Sequence, residues 1–321
     1  MVVIYLVNEK IEFGVHVSPE GLDFEQVKRL CILAEELGYS LFTVSDHFQN
    51  MWEPDGSTNH PLEAWTLLGG LASVTRKIKL GTLVSCAHYR HPTVLAKMAT
   101  TVDIISGGRL MFGIGAGWHQ KEFEGFLGEF PTTKRRMDGL EDALNIAKSM
   151  FVNERTNYEG RVYSAKNTMN SPLPTQQPIP ILVGGAGMKR TLKFAAKYAD
   201  ISNFVFGSEP DEVIDMRIAA LKGHCKAVGR DYSEMKKSST MQVNFNPTQS
   251  DIDAHAKIQS FWTGIPFEEM KKKVDVKEVY PSPEEIVPKV EKSIGKGITV
   301  FLNIFKTEED IKVFANLMKK I

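Results

Sequence analysis

Asp46 and His47 stand side by side at the end of a β-rich run, Leu41 to Ser45. A carboxylate beside an imidazole is the pair in this chain best suited to moving a proton near neutral pH. The bland alternative is that Asp46 caps a loop and His47 packs on Phe48. A second polar cluster, Ser85-Cys86-Ala87-His88-Tyr89-Arg90-His91-Pro92, follows the run Ile78 to Val84. Arg90 either pairs with a ligand phosphate or carboxylate, or pins its loop to a neighbouring element. Nothing adjacent in sequence marks Cys86 as an activated thiol. Gly113-Ile114-Gly115-Ala116-Gly117 lacks the acidic residue that completes a dinucleotide fingerprint and reads as backbone left bare for a flat ring. Gly184-Gly185-Ala186-Gly187 opens into a helical pattern that starts at Met188, with Lys189 and Arg190 expected in the first turn. A strand end, a glycine turn and a helix N-terminus make a phosphate site, or else only a tight connection. No H-E-x-x-H, G-x-S-x-G or Walker spacing occurs, and no metal site is expected.

These residues need elements to hold them. Strands are expected at Glu12 to Val17, Leu41 to Ser45, Ile78 to Val84, Arg109 to Ile114, Pro180 to Gly184, Ile201 to Phe204, Ser239 to Phe245 and Thr299 to Ile304. Helical patterns separate them: Phe24 to Leu37, Leu62 to Val74, Thr93 to Ile105, Arg135 to Phe151, Met188 to Tyr198, Glu212 to Val228, Glu284 to Ile294 and Glu308 to Met318. Strict alternation means parallel strands with right-handed crossovers. Eight units match a closed (β/α)8 TIM barrel better than an open sheet, which would leave two edges. The candidate residues then fall at strand C-termini, where such barrels carry their sites. The whole chain, 1–321, reads as one barrel domain. Insertions are expected near 46–60, 157–177 and 247–281, the long segments where specificity is built.

Composition narrows the partners. Lys plus Arg and Asp plus Glu both number 39, so no global field draws the chain to nucleic acid or an anionic membrane, and neither is expected as a partner. Three cysteines without C-x-x-C spacing do not form a disulfide framework. The opening MVVIYLVNEK has no basic leader, and no apolar run approaches the ~20 residues that span a bilayer. A cytoplasmic location is expected.

Taken together, the motifs resemble the luciferase-like monooxygenase superfamily, and within it the branch that uses the deazaflavin coenzyme F-420. The likeness is carried by Phe13-Gly14-Val15, Ser45-Asp46-His47-Phe48, Gly81-Thr82-Leu83-Val84, Tyr89-Arg90-His91-Pro92, Ser106-Gly107-Gly108-Arg109-Leu110, Gly113 to Trp118 with Glu122, and Pro180 to Gly187. The resemblance implies a TIM barrel, usually homodimeric, holding a reduced flavin or deazaflavin at the strand C-termini. On that reading Asp46, Leu83, Val84, Ser85, Gly115, Ala116, Gly117, Trp118, Gly184, Gly185, Ala186 and Gly187 contact the cofactor. Leu83 and Val84 buttress the ring through a non-prolyl cis peptide, and the Gly184 to Gly187 turn takes the phosphate. The sugar-phosphate dehydrogenases of the family carry a catalytic Glu where this chain has Trp118, which puts that activity in doubt. His119 and Glu122 stand near enough to replace the acid, or are ordinary residues of a short helix. Trp52 is the other candidate for substrate contact, stacking on ligand or packing at the surface.

The expected function is therefore hydride transfer between coenzyme F-420 and a small organic substrate, with His47 as acid/base and Asp46 orienting it. An FMN-dependent monooxygenase is the alternative enzyme, and a non-catalytic flavin or deazaflavin carrier the alternative of another class.

Overall fold

The computed structural model describes residues 11–51, 59–207 and 209–321. Eight parallel strands close on themselves: β1 (Glu12–Val17), β2 (Leu41–Val44), β3 (Lys79–Thr82), β4 (Leu110–Gly115), β5 (Ile181–Gly184), β6 (Ile201–Phe206), β7 (Lys236–Thr240) and β8 (Val300–Phe305). Each pairs with the next, and β8 pairs back to β1 through Glu12 and Val300, so no edge remains. The helices that follow are α1 (Phe24–Glu36), α2 (Ala64–Val74), α3 (Pro92–Ser106), α4 (Thr133–Met150), α5 (Thr191–Tyr198), α6 (Asp211–Ala227), α7 (Pro283–Gly295) and α8 (Glu308–Met318). The fold is a (β/α)8 barrel.

Local signals account for the boundaries. Asp23 and Gln26 form a reciprocal capping box at the start of α1. Pro92 opens α3, whose stop is Gly107 in the left-handed conformation, φ 70°. The strands are covered on both faces: β1 is buried at all six positions, Glu12 and His16 included. Inside the barrel Leu41, Met111, Leu182, Val300 and Leu302 pack together, with Leu83 and Val84 lying against them toward the mouth. A larger layer fills the space between strands and helices.

Strand β7 departs from expectation, running Lys236–Thr240 with a short continuation at Gln242–Val243 instead of Ser239 to Phe245. Its polar side chains hid it. They are satisfied in place: Lys236 pairs with Glu12, and Asn203 Nδ2 donates to Ser238 Oγ at 2.9 Å and Thr240 Oγ1 at 3.0 Å. Two of the expected insertions are elements in their own right. The hairpin Arg155–Glu159 with Ser164–Met169 lies beside α4. The segment after β7 forms a lid helix, Gln249–Thr263, and two short helices, Phe267–Lys273 and Val276–Val279. Much of the loop near 46–60 falls outside the described residues, and so does Trp52. Among the described residues no helix is long and apolar enough to cross a membrane.

Candidate active site

A cavity of about 960 Å³ opens over the C-terminal ends of the strands, bounded on the far side by the lid helix. Asp46, His47, Leu83, Val84, Ser85, Gly115, Ala116, Gly117, Trp118, Gly184 and Gly185 all line it. Ala186, Gly187, His119 and Glu122 do not line it.

The partner of His47 is not the expected one. Asp46, 1 % exposed, gives both carboxylate oxygens to Arg90, at 2.7 Å from Nη1 and 3.0 Å from Nη2. Arg90 also bonds Glu63, the N-cap of α2. Of the two readings of Arg90, the structure shows the one that pins the loop: the guanidinium ties β2's end to α2. Asp46 therefore shapes the loop and does not orient His47. That task falls to Glu122, whose Oε2 lies 2.7 Å from His47 Nδ1. Glu122 is fully buried, so the expected substrate contact is replaced by a contact to the imidazole.

Local structure puts Glu122 there. After β4 the chain makes one helical turn, Gln120–Glu122, capped by His119, whose Nδ1 accepts from Glu122 N–H at 3.3 Å. The turn continues as a π-helical stretch, Phe123–Leu127. Glu122 Oε1 accepts the N–H groups of Phe48 at 2.6 Å and Gln49 at 3.0 Å, and the Tyr89 hydroxyl donates to Oε2. Burial works against ionisation of this carboxyl, but the donors from His47, Tyr89 and the backbone outweigh it and hold the pKa below the usual glutamate range. An ionised Glu122 accepts only, so Nδ1 of His47 carries the hydrogen. Nε2 is left as the lone-pair nitrogen, on a residue that lines the cavity.

His119 is spent elsewhere. Its Nε2 lies 3.2 Å from the carbonyl of Met51, and both ring nitrogens are used within the protein. Ser85 lines the cavity, but its hydroxyl receives Trp65 Nε1–H at 2.9 Å and donates to Thr82. Burial pushes the Cys86 thiol well above its ordinary pKa, which leaves it no nucleophile.

The peptide between Leu83 and Val84 is cis. Gly115 and Gly184 make room for Val84: a Cβ on either would lie 2.9 Å from its methyl groups. Bare backbone was expected to clear a ring directly; it clears the Val84 side chain, which forms the cavity floor between the two strands.

The glycine turn after β5 also differs from expectation. Helix α5 begins at Thr191, three residues later than the pattern indicated, so Lys189 and Arg190 precede it. Arg190 turns away to Asp138, 2.5 Å from its Nη2, and Lys189 is exposed. What remains is a backbone cradle. Gly185 sits at φ 124°, and a Cβ on Gly187 would come within 2.8 Å of Thr191 Oγ1.

Two groups escaped the sequence reading. Glu20, three residues past β1, has a buried Oε1 without a partner; burial raises its pKa, and His47 and Glu122 both act on its charge. His16, inside the barrel, lies 3.0 Å from Thr43 Oγ1, and burial lowers its pKa to about 4. Both follow from β1 alone: alternate residues of that strand face inward, and its last loop reaches the mouth.

The chain has relatives of known name. It is 28 % identical over 256 residues to an F420-dependent glucose-6-phosphate dehydrogenase of Microbacterium testaceum, an alignment spanning 79 % of this chain and 74 % of the relative. The enzyme of the same name from Mycolicibacterium fortuitum is 23 % identical over 97 % of this chain and 96 % of its own. The fold matches an F420-dependent secondary alcohol dehydrogenase in complex with an F420-acetone adduct, with TM-score 0.81, 20 % identity, and 96 % and 98 % of the two chains covered. It also matches the coenzyme F420 dependent tetrahydromethanopterin reductase of Methanopyrus kandleri, with TM-score 0.76, 19 % identity, and 95 % and 97 % covered. The family described as luciferase-like monooxygenase matches residues 5–286, and the chain belongs to it.

Proposed function

We propose that this protein is a coenzyme F-420-dependent oxidoreductase that passes hydride between the deazaflavin and a small organic substrate. The observation that carries the reading is His47, held by an ionised buried Glu122 with Nε2 left as the lone-pair nitrogen beside a cavity large enough for a ring and a substrate. Relatives that match most of the chain's length are named for the same cofactor.

The residues present fit such a group. The cradle of Gly184, Gly185, Ala186 and Gly187 against Thr191, whose space a Cβ at Gly187 would fill, suits a phosphate. Leu83 and Val84 offer an apolar face to a flat ring, with Gly115, Ala116 and Gly117 beside them. When bound, the deazaflavin supplies a two-electron carrier for hydride. The chain supplies the proton chemistry: Nε2 of His47 accepts a proton from a substrate hydroxyl or returns one to a carbonyl. Glu122 keeps the ring in the required tautomer, as a buried carboxylate does for an imidazole. Arg90 and Asp46 fix the loop that carries His47.

A carrier without turnover would have no need of this imidazole. The FMN-dependent monooxygenase differs in one observable, since a reduced flavin consumes oxygen and a deazaflavin reacts poorly with it. Turnover under an oxygen electrode tests the choice: no uptake supports the deazaflavin reading, and stoichiometric uptake overturns it.

We also propose a cytoplasmic homodimer. Cys31, Cys86 and Cys225 are all buried free thiols, in keeping with a reducing compartment, and α3 exposes Val94, Ile104 and Ile105.

A further inference from the structure

The loop between β3 and α3 grips His47 from two sides. Arg90 takes the carboxylate of Asp46, the residue before His47, and Tyr89 takes that of Glu122, its hydrogen-bond partner. The Tyr89 hydroxyl donates to Glu122 Oε2, the same oxygen that lies 2.7 Å from His47 Nδ1. Glu122 Oε1 accepts the N–H groups of Phe48 and Gln49, the two residues that follow His47. Among the described residues, then, the donors on this buried carboxylate come from the loop of His47 itself, with one exception. That exception is the Tyr89 hydroxyl.

Its ring is fixed by its surroundings. Tyr89 is 8 % exposed, and its centroid lies 5.0 Å from that of Phe48 and 5.4 Å from that of Phe123, which it meets edge-on. Phe123 follows Glu122 in the chain and is fully buried, so the phenol is seated on the turn that carries the carboxylate. Tyr89 also lines the cavity, but its single hydroxyl hydrogen is spent on Glu122 and is not available to a substrate. Burial, with Cys86 and Glu122 beside it, pushes the phenol far above its ordinary pKa and keeps it a donor.

What this hydroxyl does follows from the competition for the hydrogen on Nδ1. A carboxylate oxygen that accepts two hydrogen bonds is a poorer base than one that accepts a single bond. A proton arriving on Nε2 makes the ring an imidazolium with an N–H on each side. If the Nδ1 hydrogen then crossed to Oε2, the ring would be left neutral with its hydrogen on Nε2, the tautomer that cannot accept from the cavity. We propose that Tyr89 is a positioning residue for the proton transfer: acting through Glu122, its hydroxyl keeps the hydrogen on Nδ1 of His47 and leaves Nε2 free toward the cavity. The inference rests on the oxidoreductase reading above and adds a residue that works from behind the imidazole.

Nitrogen NMR on the full-length chain, isotope-labelled at histidine and held in alkaline buffer, reads which nitrogen of the neutral ring carries the hydrogen. The His47 signals are assigned by their loss in His47→Ala. Tyr89→Phe keeps the ring and removes the hydroxyl, and it should move the Nδ1 signal downfield, toward the position of a bare nitrogen. Replacing Tyr89 by a ring-fluorinated tyrosine, a stronger donor, should move the signal upfield, and this decides the matter if circular dichroism shows Tyr89→Phe unfolded. Phe48→Leu loses the ring contact but no donor on Glu122, and should leave Nδ1 in place. An unmoved Nδ1 in a folded Tyr89→Phe, a downfield or absent shift with the fluorinated ring, or an equal shift in Phe48→Leu would each overturn the assignment. A separate absorbance titration with coenzyme F-420 distinguishes the two claims. An Nδ1 response to Tyr89→Phe without cofactor affinity would sink the oxidoreductase reading alone, and intact cofactor affinity with no Nδ1 response would sink the role of Tyr89 alone.

Discussion

Glu122 Oε2 lies 2.7 Å from His47 Nδ1, although 75 residues and two strand–helix units separate them in sequence. Closing the barrel brings the end of β2 near the turn that follows β4, with β3 lying between the two strands. The pair is the arrangement by which a buried carboxylate fixes an imidazole's tautomer and leaves the other nitrogen for chemistry.

Replacing Glu122 by Gln should lower turnover about a hundredfold or more, since a carboxamide no longer enforces Nδ1–H. The discriminating readout is the split between turnover and binding: kcat should fall while the cofactor Kd stays near the wild-type value, which a general structural defect would not do. An unchanged kcat would reduce Glu122 to a packing residue.

Substituting His47 by Ala should cost about two to four orders of magnitude in turnover with little change in cofactor affinity, the range for losing a general acid/base. Steady-state kinetics beside an absorbance titration measures both. Wild-type turnover in this variant would remove the proton-transfer role.

The Gly184 to Gly187 turn is tested by a pair of variants. Gly185 sits at φ 124°, so Gly185→Ala carries backbone strain and a 3.1 Å approach to Thr191 Cγ2, and Gly185→Asp adds a carboxylate beside the proposed phosphate site. Cofactor affinity should weaken modestly in the first and be lost in the second, with far-UV circular dichroism retained in both. Equal affinities in the two variants would take the phosphate away from this turn.

His16 predicts a pH dependence of folding. Its pKa is depressed by burial from 6.5 to about 4, so it is neutral in the fold while the unfolded chain takes up a proton. The stability it contributes is complete above pH 6.5 and is lost as the pH falls toward 4. At about 1.36 kcal/mol per pKa unit, the loss from this group is roughly 3 kcal/mol. Urea unfolding across that window should show a shallower fall in His16→Gln than in the wild type. Identical slopes would mean that the imidazole is solvated.

What could be read from the residues alone follows from how local each signal is. The barrel was legible because Ile78 to Val84 is a continuous β-rich run, and because Pro92 and Gly107 punctuate a helix on their own. Asp46-His47 was legible as neighbours, but neighbours on an extended chain point apart, so adjacency assigned His47 the wrong carboxylate. Glu122 was seen and misplaced, since only tertiary closure turns it inward. The start of α5 was misread because the apolar pattern runs on through Met188, whereas Arg190 caps the helix without a side-chain hydrogen bond. The filling of the glycine clearance by Val84 depends on the course of β3, which no spacing in β4 or β5 encodes.

The central claim, that this barrel serves a deazaflavin, is tested most directly by titrating the cofactor-free protein with coenzyme F-420 and with FMN while following each chromophore's absorbance. The account predicts saturable one-to-one binding of coenzyme F-420, tighter than that of FMN and lost in Gly185→Asp. Tight stoichiometric FMN binding with no affinity for coenzyme F-420 would contradict it.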